Sequence, residues 1–244
     1  MIPTLQKHYH LVIPALPGFD PDMPKTDFTS VEQIADEMAS WLMHHGLDSI
    51  TCLYGCSLGG AVVARMLATR KISVDCAVID GGMTPYQLWK PLTYLIGIRD
   101  FIMLEIGKHM SIKALRGMFD PEKYTENDVA YIKEAMSGMS AKTIWRSFYS
   151  CNNYSMPKSA PSINCRIAYW YGSAEKRPRK WDIAYIRKMF PHAQIIENAG
   201  MDHAEFLQRD YTLLFIRDTT CPVDNIAHKE YCSLYVLFCK SSQR

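Results

Sequence analysis

No uninterrupted apolar stretch in this sequence reaches the roughly 18 residues that a membrane-spanning helix needs. The first residues, Met1 to Lys7, also lack the basic-then-apolar order of a secretory leader, so the chain reads as soluble and cytoplasmic. A surplus of one charge is missing too. The 27 Lys and Arg stand against 25 Asp and Glu, with no basic block and no basic stripe interleaved with aromatics, which argues against nucleic acid as a partner. The eight cysteines include no Cys-x-x-Cys pair and no histidine at ligand spacing. They read as buried free thiols, not as a zinc site or a disulfide framework. Cys52 and Cys56 flank the candidate site closely enough to suggest redox chemistry, but small residues packing a strand is the simpler reading. There is no internal repeat.

What is present is core. With 48% hydrophobic residues, a chain of 244 residues can bury one sizeable α/β domain and still hold a small inserted subdomain. His10 to Pro14 (HLVIP) reads as a buried strand ending at Pro17-Gly18. Ser30 and Gln33 form a capping box before Val31, Ile34, Ala35, Met38, Trp41 and Leu42, which recur at helical spacing until Gly46. Ser49 to Tyr54 (SITCLY) is a second strand, Ala61 to Thr69 a second helix, and Cys76 to Asp80 (CAVID) a third strand. This alternation predicts a parallel sheet with crossover helices. From about Thr84 to Ala160 the pattern is helical and rich in Met and aromatics, the natural place for a cap. Alternation resumes with Arg166 to Tyr171 as a strand, Trp181 to Phe190 as a helix and Ala193 to Glu197 as a strand. The expected organisation is a core of 1–83 and 161–218, a helical cap of 84–160, and an atypical tail of 219–244 that does not fit the rhythm.

Between the second strand and second helix lies Gly55-Cys56-Ser57-Leu58-Gly59, a G-x-S-x-G pattern that chance produces in roughly one chain in ten of this length. The setting gives it weight, because strand, tight turn and helix together are the context of a nucleophile elbow. The glycines are needed where side chains would clash, Ser57 sits strained and exposed at the sheet edge, and the helix N-terminus behind it favours negative charge. A serine hydroxyl needs a general base, and the base needs an acid to fix its tautomer. His203 lies in a polar loop directly after an apolar strand. Glu175 stands in the loop after the preceding strand, which gives the chain order Ser, acid, His. Its alternative reading is a surface carboxylate facing Lys176, Arg177, Arg179 and Lys180. Asp80, at the end of CAVID, competes for the acid role, and Asp202 is read as pointing elsewhere.

The stretches HLVIPALPGFDPD, LYGCSLGGAVVARMLA, CAVIDGG, IAYWYGSAEK and NAGMDHAEF together make the chain from Ile2 to about Leu207 resemble the α/β-hydrolase superfamily. The resemblance implies an eight-stranded, mostly parallel sheet with a helical cap. It also implies a triad of Ser57, Glu175 and His203, and the Leu58 backbone N–H as one oxyanion donor. Relatives of this kind are mostly esterases, lipases, thioesterases, C–C bond hydrolases and related acyl-group enzymes, and fold membership does not choose among them.

The sequence departs from the family pattern in three places. Ala15 stands where relatives often carry Asp, and 219–244 is not a recognisable closing helix. Family members also place a strand ending in His-Gly ahead of the helix before HLVIP, between the HLVIP and SITCLY strands, where it supplies the second oxyanion donor. This chain starts with Met1-Ile2-Pro3-Thr4-Leu5, so an interrupted sheet beside the nucleophile is expected. Either HLVIP moves in to pair with SITCLY, or the chain is a fragment of a longer product.

The leading expectation is a serine hydrolase of an ester, thioester or related acyl substrate, without metal or organic cofactor. Trp89, Tyr94, Phe101, Met103, Met110, Met118 and Phe119 offer an apolar acyl pocket, although such residues more often form a cap's own core. The rival is a catalytically impaired or inactive member serving as a binding module. A peripheral membrane role for Pro91 to Gly107 is disfavoured, because Arg99-Asp100 interrupts the stretch and no net basic face accompanies it. Oligomeric state is not legible in the sequence.

Overall fold

In the computed structural model of the chain, the described residues are 9–19, 23, 26–85, 88–122, 124–158, 163–203 and the backbone of 235–240. Strands form where β-branched and aromatic residues run together between turn signals. They are β1 (Tyr9–Val12), β2 (Ser49–Cys56), β3 (Ser73–Asp80), β4 (Arg166–Gly172), β5 (Gln194–Asn198) and β6 (Tyr235–Lys240). The helices are α1 (Val31–His44), α2 (Leu58–Thr69), α3 (Lys90–His109), α4 (Ile112–Arg116), α5 (Glu126–Gly138), α6 (Ala141–Cys151) and α7 (Lys180–Met189). Helices flank a sheet in the order β1-β6-β2-β3-β4-β5, the helix-flanked arrangement that the family resemblance implies. Strands β2 to β5 run parallel, with Cys52 opposite Cys76, Ala77 opposite Ile167 and Trp170 opposite Ile196. Among the described residues the sheet has six strands, against the eight that the family resemblance implies.

The place between β1 and β2, expected to be interrupted, holds β6. It pairs antiparallel with both neighbours: Leu237 lies opposite Val12 on one side and Leu53 on the other. HLVIP therefore does not pair with SITCLY; β1 pairs with β6 instead. The tail read as atypical contains this strand because Tyr235-Val236-Leu237-Phe238 is a β-prone run, and the slot offers backbone partners on both sides.

Two compact units make up the chain. One comprises Met1–Pro14, Val31–Pro85 and Tyr154–Arg244, the other Ala15–Ser30 and Tyr86–Asn153. In the first, Cys52, Tyr54, Cys56, Cys76, Val78, Ala168, Trp170 and Met201 form one apolar cluster, with Tyr9, Leu11, Ile13 and Ile196 packed against it. Side chains alternate across a strand, so the other face of β2 carries Leu53 and Gly55, against which Val63 of α2 packs. Ten of the twelve α2 residues are buried, and α1 packs Val31, Ile34, Ala35, Ala39 and Leu42 inward beside it. A helix so thoroughly buried holds its N-terminus rigidly at the sheet edge.

In the second unit, α5 starts with a capping box in which the Thr125 side chain accepts from the Asp128 N–H and the Asp128 carboxylate from the Thr125 N–H. Asp27 ties the 15–30 segment to α6 through Arg146 at 2.6 Å and Lys142 at 2.7 Å. Tyr94 and Phe101 pack edge-on against Trp145, which stacks on Tyr149. Trp89, Met103 and Met118 are exposed, and so is about half of Tyr94. Among the described residues no helix is long and apolar enough to cross a membrane.

Candidate active site

The turn from β2 into α2 is set by backbone constraints. Ser57 has φ 56° and ψ −118°, a conformation that costs a non-glycine residue about 1 to 3 kcal/mol and persists only when its surroundings enforce it. Those surroundings are visible. The Ser57 N–H donates to the Asp80 carbonyl at 2.9 Å, which ties the turn to the end of β3. Gly55 permits the close return of the chain, since a Cβ there would lie 2.3 Å from the Gly59 carbonyl oxygen. Leu58 is the first residue of α2, so its amide lies at the positive end of the helix.

His203 follows β5 and reaches back to the acid placed by β4. Its Nδ1 lies 2.8 Å from Glu175 Oε1, with Glu175 buried in the short 3₁₀ turn Ser173–Glu175. A carboxylate only accepts, so Nδ1 is the donor and Nε2 is the ring nitrogen not engaged by Glu175. Asp202 turns its carboxylate to the His203 backbone N–H at 2.7 Å. Gly81 adopts φ +53°, and a Cβ there would stand 2.9 Å from both Cε1 and Nδ1 of His203. The Asp80 carbonyl thus ties the serine turn, and the bare Cα of Gly81 leaves room for the imidazole beside it.

Burial pushes the Glu175 carboxyl up, but the hydrogen bond and charge of His203, together with Arg179, outweigh it and hold the group below its usual range. Asp80 behaves in the opposite way. Its Oδ2 accepts from the Tyr54 hydroxyl at 2.6 Å, and burial raises its carboxyl to about 6, with Tyr54, His203 and Cys56 lowering it only in part. A folded-state value above the ordinary 3.8 means that the folded chain holds this proton more tightly than the unfolded one. Asp80 therefore supports folding most fully below pH 4 and loses that contribution as pH rises through about 6. Asp80→Asn should accordingly stabilise the fold relative to the parent at pH 8 but not at pH 4, with a difference of about 3 kcal/mol across that window. Urea melts of both proteins at the two pH values measure it, and a pH-independent difference would refute it.

Sequence reasoning missed Arg179. Named only among four cations that a surface Glu175 would face, it is largely buried, and its Nε donates to Glu175 Oε1 at 2.9 Å. The i, i+4 spacing from Glu175 was the available signal. Lys176 does face outward, pairing with Glu197 at 2.8 Å. A hydrogen bond to Cys76 and then burial push the Cys52 thiol well above its ordinary range, which makes it a packing thiol and not a reactive one. Among the described residues no three His, Cys, Asp or Glu side chains are grouped to hold a metal.

Residues 1–167 match the alpha/beta hydrolase fold family. The chain belongs to that family. Among solved structures, this α/β hydrolase is similar to an alpha/beta hydrolase enzyme from a Medee basin deep-sea metagenome library, at 14% identity and a TM-score of 0.59 over 82% of this chain and 76% of that one. It is similar to MenH from S. aureus at 13% identity and a TM-score of 0.58, over 83% and 81% of the two chains. The RedJ thioesterase of the prodiginine pathway in Streptomyces coelicolor matches at 14% identity and a TM-score of 0.55, over 84% and 72%. At such identities the likeness is one of fold. No curated protein matches the sequence.

Proposed function

We propose that this α/β hydrolase is a serine hydrolase of an ester, thioester or related acyl substrate with an apolar acyl group. The observation that carries the reading is the His203 Nδ1 to Glu175 Oε1 hydrogen bond of 2.8 Å, made beside the strained turn that presents Ser57. In the first step the Ser57 Oγ attacks the acyl carbon while its proton passes to His203 Nε2, and the Leu58 N–H donates to the oxyanion that forms. The tetrahedral species then collapses. The bond from carbon to the leaving oxygen or sulfur breaks, that atom takes the proton from His203, and the acyl group remains on Ser57. Water repeats the sequence with His203 as base and releases the acid. Glu175 fixes the imidazole tautomer and stabilises the imidazolium. Residues 84–160 are, on this reading, the cap.

A second reading, a member impaired in catalysis that binds without turnover, is favoured by one observation. The sheet position next to β2, where relatives place the strand with the second oxyanion donor, is held by antiparallel β6. Turnover separates the two. The full chain should hydrolyse p-nitrophenyl butyrate or a butyryl thioester, and Glu175→Gln should lower kcat by roughly ten-thousandfold, as removing a triad acid does elsewhere. Asp80→Asn should lower it less than about tenfold, because that carboxyl faces Tyr54. The reverse order would make Asp80 the acid, and no turnover of either substrate by the folded chain would favour the binding reading.

A further inference from the structure

Glu175 Oε1 carries two donors at once, His203 Nδ1 at 2.8 Å and Arg179 Nε at 2.9 Å. Arg179 reaches on with its other arm, Nη1, to Asp182 Oδ2 at 3.1 Å. The second oxygen of Asp182 accepts both the backbone N–H and the hydroxyl of Thr84, each at 2.8 Å. Glu175, Asp182 and Thr84 are buried, and only 14% of the Arg179 side chain is exposed. An exposed ion pair would mean little, but a buried chain of alternating charge ending on the acid that holds the imidazole acts at low dielectric.

A buried carboxylate bonded to an imidazole, with nothing opposing it, favours imidazolium, and an imidazolium cannot take the serine proton. We infer that Arg179 is a positioning residue that orients Glu175 toward His203 and offsets part of its charge, with Asp182 and Thr84 holding the guanidinium in place. Arg179 shares the very oxygen that His203 uses, so its charge acts directly on the protonation balance of the imidazole. Asp182 moderates that effect from the far side. Among the described residues, the other titratable groups beside this network are Tyr169 of β4, Asp80 of β3 and Asp202, whose carboxylate accepts from the His203 backbone N–H. Burial keeps Tyr169 protonated, and its hydroxyl donates to the Gly82 carbonyl at 2.9 Å, so it contributes no charge change near neutrality. Asp80 does titrate there, at about 6.

The two substitutions should move the site in opposite directions, which a purely structural role does not do. In an Asp80→Asn background, Arg179→Met should shift the acid limb of the kcat/KM profile to higher pH by about one unit, because the imidazolium loses an opposing charge. Asp182→Asn leaves Arg179 in place with less to neutralise it, and should shift the limb to lower pH by about half a unit. Arg179→Lys keeps the charge and should return the limb to within about 0.3 units of the parent, with kcat still reduced because an ammonium cannot span both carboxylates. If Arg179→Met fails to fold by circular dichroism, the downward shift in Asp182→Asn decides alone. Equal losses at every pH with no displacement of the limb, or an upward shift in Asp182→Asn, overturn the inference. It rests on the serine-hydrolase reading for its kinetics. The His203 titration curve, followed by ¹⁵N NMR in the full chains, should show the same displacements even if the chain proves inactive. Inactivity with these displacements sinks the hydrolase reading alone, and activity without them sinks this one alone.

Discussion

Ser57→Ala should reduce turnover of p-nitrophenyl butyrate by about a millionfold, the cost of removing a serine nucleophile from a working triad. The size of that effect follows from the division of labour at the site. His203 and Glu175 are hydrogen-bonded to each other independently of the serine, so on the proposed mechanism the substitution leaves base and acid in place and removes only the attacking atom. The fold should be nearly indifferent. Alanine inherits the same φ of 56°, and the Ser57 N–H bond to the Asp80 carbonyl is a backbone contact that the substitution does not touch. The melting temperature should therefore move by no more than about 4 °C, the shift that 1 kcal/mol produces in a domain of this size. A residual rate within tenfold of the parent would show that another group attacks.

The second large effect concerns stability. Ending the chain before Tyr235, or introducing Leu237→Pro, should abolish the cooperative thermal transition of the domain. Strand β6 lies between β1 and β2, so its loss unpairs Tyr9 to Val12 on one side and Cys52 to Gly55 on the other. Proline at 237 removes a donor from the middle of a strand that is paired on both edges, a place where sheets scarcely tolerate it. Each buried backbone group left unpaired costs about 1 to 3 kcal/mol, and whole domains are stable by only roughly 5 to 15 kcal/mol, so a few such groups suffice. Near-ultraviolet circular dichroism on heating reads the outcome. A truncated chain that melts like the parent would mean that β1 and β2 close on each other without β6.

Local chemistry made much of this fold legible in the sequence. The Gly55 to Gly59 turn could be read because its glycines answer to clashes within a few residues, and β2 to β5 because each is an apolar run punctuated by turns. Boundaries shifted where pairing extends a strand: β2 continues through Cys56 because β3 offers partners as far as Asp80. Glu175 and His203 could be singled out from chain order, since each follows a strand and so arrives at the same edge of a parallel sheet. What could not be read depends on distant partners. The run Tyr235 to Phe238 was visible as apolar, but whether such a run becomes a central strand depends on an open place in a sheet built some 180 residues earlier. The basic cluster from Lys176 to Lys180 was harder to read. The i, i+4 spacing from Glu175 was its one local mark, and Arg179 turns inward because Glu175 and Asp182, on either side of it in sequence, are buried where α7 begins.

A serine hydrolase of this design requires Ser57 to be an activated nucleophile. The direct measurement is to treat the folded full-length chain with a fluorophosphonate probe at neutral pH and to map the adduct by peptide mass spectrometry. The expected result is a single phosphonylated peptide modified at Ser57, lost in Ser57→Ala and formed far more slowly in His203→Ala. An unlabelled chain that retains its cooperative melt, while a control serine hydrolase reacts in the same tube, would contradict it.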